Sequence, residues 1–197
     1  MDELSARVQQ LLDRSEIDNV ITTYPRAVDR GDVEMLKSCF HADAISANTL
    51  GEFNAHEFFE TLLPMMRKLF SGTMHHVTHS NVKIDGNRAV AESYFIAYHA
   101  VIGGHKEVAE FFGPPYAEAM AASHRLEGGH FYLACGRYLD RLEKRAGAWR
   151  FALRRVSIEW SQFGPNSAAT PESLVGRIPA IARRDHEDPV YELFDIH

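Results

Sequence analysis

The chain has 197 residues, 45% of them hydrophobic and 24% charged, enough for one sizeable domain and too few for two comfortable ones. Its formal net charge of −6 leaves no dense basic face, since the Arg154-Arg155 doublet sits inside an apolar alternation, so nucleic acid is not an expected partner. No apolar run approaches the roughly 18 residues of a membrane span, and no signal-peptide pattern precedes the first helix. The two cysteines, Cys39 and Cys135, lie far apart without metal-type spacing. They fit reduced, buried thiols in a soluble, cytoplasmic protein.

Leu4, Val8, Leu11, Leu12, Ile17, Val20, Ile21 and Tyr24 recur at helical spacing, which predicts a helix over 2–29 that Pro25 is expected to kink or break. "DRGD" reads as a turn, with Asp32 capping a short helix "VEMLKSCF". "DAISANTLGEF" is a strand pair or a strand plus turn, and "NAHEFFETLLPMMRKLF" a third helix capped by Asn54 and disturbed by Pro64. After Gly72 the period changes to two, with a hairpin turning at Asp85-Gly86-Asn87. Residues 103–128 form a polar insertion bounded by Gly and Pro, with one helical segment. A second hairpin turns at Ala146-Gly147, and 164–197 is a tail with at most short helices. Helices segregated before long antiparallel strands predict an α+β domain over 1–163. In it the helices pack on the concave face of a strongly curved antiparallel or mixed sheet that encloses a cavity. The tail is expected to act as a lid or an oligomer contact.

Histidines are concentrated in "TMHHVTHSNVKIDG". Strand alternation puts His75 and His79 on one face and His76 on the other. Four residues of strand span ~13 Å, too far for His75 and His79 to share a metal without a bulge, and no third ligand stands at short spacing. No metal and no cofactor are expected.

The segments "EIDNVITTYPRAVDRGDVEMLKSCFHADA", "TMHHVTHSNVKIDGNRAVAESY" and "GRYLDRLEKRAGAWRF" resemble, in order and register over roughly residues 14–160, the SnoaL-like branch of the NTF2-like superfamily, a cystatin-like cone. The resemblance implies a cofactor-free lyase similar to scytalone dehydratase, bile-acid 7α-dehydratase and hexachlorocyclohexane dehydrochlorinase. Register by register, their catalytic groups fall on Asp29, His75, His99 and Tyr24. The second acid of the bile-acid enzyme has no counterpart in "FIAYH", and the Asn of the scytalone site has none near Gly136–Tyr138.

In chemical terms, an Asp29 carboxylate that accepts from one imidazole nitrogen of His75 leaves the other nitrogen as a general base. The alternative for Asp29 is a simple helix cap. His99 would pair with His75, one ring as base and the other as acid towards a departing hydroxyl, or would be an ordinary strand histidine. Tyr24 would hold a carbonyl or enolate oxygen, or serve as a buried structural phenol. Tyr94, Tyr98, Tyr138 and Trp160 are expected to line the cavity or the core. Asp32, Asp43 and Trp149 read as cap, strand start and core, and Asp140 as a solvated residue pairing with Arg137 or Arg141.

The expected function is a dehydratase-type lyase for a small cyclic or aromatic-like hydroxylated substrate. The alternatives are an isomerase or cyclase with the same dyad, or a non-catalytic binding protein or small subunit of a ring-hydroxylating dioxygenase. An open sheet edge implies a homo-oligomer, and the family a dimer or trimer.

Overall fold

The computed structural model describes residues 2–167, 172–178 and 181–194. Helix α1 runs from Glu3 to Arg30, capped by the Asp2 carboxylate at the Ser5 N–H and closed by Gly31 at φ 65°. Pro25 does not interrupt it: Ile17, Ile21 and Val28 bury one face, and that packing outweighs the missing proline donor. Upstream, the Leu4, Val8, Leu11 and Leu12 stripe stands exposed. The short helix α2 (Val33–Ser38) is capped by Asp32 at the Met35 N–H, as its sequence predicts. Strands β1 (Phe40–Asn48) and β2 (Gly51–Asn54) form a small antiparallel pair. Helix α3 (Ala55–Leu69) follows, capped by Asn54 and continuous through Pro64.

Two long hairpins carry the rest: β3 (Phe70–Asp85) with β4 (Arg88–Val101), and β5 (His130–Arg145) with β6 (Ala148–Pro165). The six-stranded sheet has the order β2-β1-β6-β5-β4-β3, antiparallel except where β1 lies parallel to β6. It is an open, mixed sheet in an α+β fold. Helix α1 contacts both the edge strand β3 and β6. Those strands are three places apart, about 14 Å at normal spacing, so the sheet curves around the helix. The main core lies between them, with Ile17, Ile21, Phe40, Phe59, Leu142 and Phe151 nearly or wholly buried.

The insertion holds two helices where one was expected, α4 (His105–Phe112) and α5 (Pro114–Ala122). Gly113, at φ 93°, breaks the run, and the prolines after it begin the second helix, where a missing N–H costs nothing. In the tail, a 3₁₀ turn (Val175–Arg177) precedes α6 (Pro189–Leu193).

Bulges change which way side chains point. β3 carries one between Val77 and Ser80, and β6 is irregular opposite Cys135/Gly136 and Arg141/Leu142. At the first β6 bulge the chains approach so closely that a Cβ on Gly136 would lie 2.1 Å from the Ser157 carbonyl oxygen. Gly136→Ala is therefore expected to lower stability by about 2 kcal/mol or more, read as a shift in the urea midpoint with little change in slope.

Candidate active site

Asp29 lies in the last turn of α1, where the helix meets the start of β3. Its carboxylate accepts three hydrogen bonds from that strand. The Thr73 hydroxyl donates to Oδ1 at 2.8 Å, the His75 backbone N–H to Oδ2 at 2.8 Å, and the His75 ring through Nδ1 to Oδ1 at 2.7 Å. Both side chains are about nine-tenths buried. Burial alone would raise the Asp29 carboxyl, but the hydrogen bonds and charge attraction of His75, with Thr73, hold it below its ordinary range. Because a carboxylate only accepts, Nδ1 carries a proton, and in the neutral ring that leaves the Nε2 lone pair free to act as a base.

His99, on β4, stands edge-on to His75 with ring centroids 5.3 Å apart. Its Nδ1 donates to the Tyr132 carbonyl oxygen at 3.2 Å, which again leaves Nε2 bare. Burial, reinforced by repulsion from the neighbouring His75 ring, depresses its pKa to about 4. His99 is therefore neutral at pH 7 and accepts at Nε2. The acid role open to it from sequence does not suit this state, because a bare nitrogen has no proton to give.

In front of the two imidazoles lies a cavity of about 230 Å³, walled by Tyr24, Phe95, Tyr132 and Tyr138 and rimmed by Ser46, Asn48 and Leu50. Asp29 stands behind the His75 ring and does not line it. Beside the cavity, Arg154 is wholly buried, its guanidinium stacked 4.1 Å from the Tyr24 ring centroid and 4.3 Å from that of Tyr138. It is paired in bidentate fashion with Asp140 at 2.9 and 2.7 Å. This corrects the expectation of a solvated Asp140: the residue points inward, and its partner comes from β6, not from Arg137 or Arg141. Burial raises both phenols, Tyr138 most, so both remain protonated donors at neutral pH.

Asp29, His75, His99, Tyr24 and Tyr138 thus converge, whereas Tyr94, Tyr98 and Trp160 do not. Those three are exposed on the outer face of the sheet. Tyr94 and Tyr98 lie odd numbers of residues from His99 and so face away from it. Trp160 has the inward phase of Val156 and Ile158, but the bulge at Glu159 turns it out, opposite Cys135. The β3 bulge does the same to His79, which is exposed on the face opposite His75. His76 is also exposed. Among the described residues no cluster of three His, Cys, Asp or Glu is placed to hold a metal. Tyr132 was not singled out from the sequence, although it sits directly across from His99 and shares its face. Cross-strand pairing of the two hairpins was the available signal.

Among the described residues, the tail segment 181–190 lies at the back of the dyad, and none of it lines the cavity. Ile181, Asp188 and Val190 share with Asp29 and His75 an outer pocket of about 550 Å³. Arg30 pairs with Asp188, and the Tyr191 hydroxyl donates to Asp32 at 3.0 Å. The end of "DPVYELFDIH", residues 195–197, lies outside the described residues.

The His99 shift carries a stability signature. Unfolded, the ring titrates near 6.5; folded, near 4. Between those values the unfolded chain binds the extra proton, so stability falls as pH drops from 6.5 to 4, by about 3 kcal/mol in total. His99→Gln is expected to flatten that part of a plot of urea midpoint against pH. Asp29, whose folded value is depressed below 3.8, loses its contribution from about pH 5 downward, so the decline between pH 6.5 and 5 is free of it.

Comparison with known proteins places the fold. No curated protein sequence matches the chain. Among solved structures, a hexachlorocyclohexane dehydrochlorinase superposes with TM-score 0.64 at 16% identity, covering 85% of this chain and 99% of that one. A protein from Novosphingobium aromaticivorans provisionally named a scytalone dehydratase gives 0.61 at 18%, over 83% and 95%. A cystatin-like protein of unknown function from Nostoc punctiforme gives 0.52 at 19%, over 75% and 92%. At these identities the likeness establishes the fold. Residues 9–155 match the SnoaL-like domain, and the chain belongs to the SnoaL-like family of the NTF2-like superfamily.

Proposed function

We propose that the protein is a cofactor-independent lyase of dehydratase type, acting on a small cyclic or aromatic-like hydroxylated ketone. The observation that carries this reading is the Asp29–His75 hydrogen bond of 2.7 Å, buried behind a cavity into which a second imidazole faces. A fold-only role as a binding module or dioxygenase subunit accounts for the carboxylate as a tie between helix and strand, but not for a second buried imidazole set beside the first at the same cavity.

His75 Nε2 removes a proton alpha to the substrate carbonyl, and the electron pair passes to the carbonyl oxygen. Asp29 stabilises the imidazolium so formed. The Tyr24 or Tyr138 hydroxyl donates to the developing enolate oxygen, a stabilisation strengthened by the low-dielectric surroundings. Return of the electron pair expels the β-hydroxyl, which takes the proton from His75 Nε2 and leaves as water. His99, neutral and with Nε2 bare, accepts a hydrogen bond from the substrate hydroxyl and orients it. An isomerase would use the same first step and return the proton to another carbon. The lack of a second proton donor at His99 suits that reading too, and product mass separates the two.

His75→Ala and Asp29→Asn are each expected to lower kcat/KM by about 10²–10⁴-fold, assayed as enone absorbance on a panel of hydroxylated cyclic ketones. Thermal melts of the same proteins report folding. A His75→Ala protein with full activity would overturn the mechanism.

A further inference from the structure

The reaction cavity is small. At about 230 Å³ it falls below the roughly 300–1,000 Å³ usual for sites that enclose a whole ligand. It does not end at its rim. Leu50, Phe58 and Leu62 wall both the cavity and a neighbouring groove of about 410 Å³ between β2 and α3. Beyond those three, the groove is built by Phe53 and Met65, with Asn54, Glu57 and Thr61 as its polar members.

The groove is preformed. Phe53 and Phe58 stack in parallel, centroids 4.9 Å apart and planes 7° from each other, which gives it one rigid aromatic wall. It is also apolar surface left in solvent: Leu50 is 63% exposed, Phe53 38% and Met65 38%. A contiguous patch of that kind that opens directly onto a reaction cavity marks a binding surface. The polar groups Ser46, Asn48 and Thr49 stand on the cavity side of Leu50, so a ligand crossing the rim passes from hydrogen-bonding to apolar surroundings.

From this we infer that the groove is the second half of the substrate site. The substrate is amphipathic: a compact oxygenated ring occupies the cavity, and an uncharged apolar arm of several carbons crosses Leu50 and lies against Phe53, Phe58 and Met65. Glu57 disfavours an anionic arm. The arm adds affinity and selects among ring substrates without touching the reacting atoms. The inference rests on the proposed lyase only in seating the reacting head in the cavity.

Inert ketones test it by calorimetry. Each methylene laid in the groove tightens binding by about fourfold, so 4-hexylcyclohexanone is expected to bind at least about 30-fold tighter than cyclohexanone. Met65→Glu, on an exposed helix position outside the cavity, should reduce that ratio below about fivefold and leave the cyclohexanone Kd within about twofold. The same ratio measured on His75→Ala separates this site from the chemistry, because loss of turnover there does not alter it. Three results would overturn the inference: no binding of either ketone or a wild-type ratio below about fivefold; equal weakening of both ketones by Met65→Glu; or a Met65→Glu protein that changes its sedimentation coefficient while keeping the ratio, which would mark the groove as a contact between copies.

Discussion

A single carboxylate joins the fold to its chemistry. Asp29 receives a strand hydroxyl, a strand backbone N–H and an imidazole N–H, and all three come from two residues of β3. A carboxylate buried to this degree without such donors would carry a large desolvation cost. With them it fixes the end of α1 against the first residues of β3. The His75 backbone and ring bind the same acceptor group, so the position of the strand and the rotamer of the base are set together. On the proposed reading, reactivity at this site is a property of how a helix end meets a strand.

A buried charge pair lies beside the cavity. Arg154 and Asp140 are adjacent across β5 and β6, and both are almost fully removed from solvent. Three aromatic rings enclose the guanidinium, and its Nη1 has no hydrogen-bond partner. Such a pair contributes less to net stability than its geometry suggests, because desolvating both ions opposes their attraction. Its value is organisational: it holds Tyr24 and Tyr138 at fixed orientations at the cavity wall. The cavity wall is thus aromatic in shape and polar in its underlying charge.

The fold was legible because its signals are local. Asp32 and Asn54 cap the helices their sequences predict, and the two Gly-containing turns define the long hairpins. The Asp29–His75 pairing came from family register rather than from spacing, since 46 residues separate the two. Two of the misplaced residues, His79 and Trp160, share one cause. Side-chain direction along a strand follows period two only until a bulge, and bulges in β3 and β6 inverted His79 and Trp160 relative to simple counting. Tyr94 and Tyr98 were legible, because the alternation that divides His75 from His76 also sets them opposite His99. Asp140 was not, because nothing in its neighbours reveals that Arg154 lies across from it on the inner face.

The insertion between β4 and β5 has a small core of its own, Val108, Ala117 and Leu126, separate from the main one. Phe112 packs against both cores. At the insertion's base, fully buried His130 accepts from the Tyr116 hydroxyl and donates to the Leu126 carbonyl. A unit with its own core opens with its own free energy, below that of the whole domain. In hydrogen-exchange terms, α4 and α5 form one cooperative block whose protection is set by its aromatic joint, Phe111 on Phe70 and Tyr132 and Phe112 on Phe163, together with His130, while the strands behind it exchange with global unfolding.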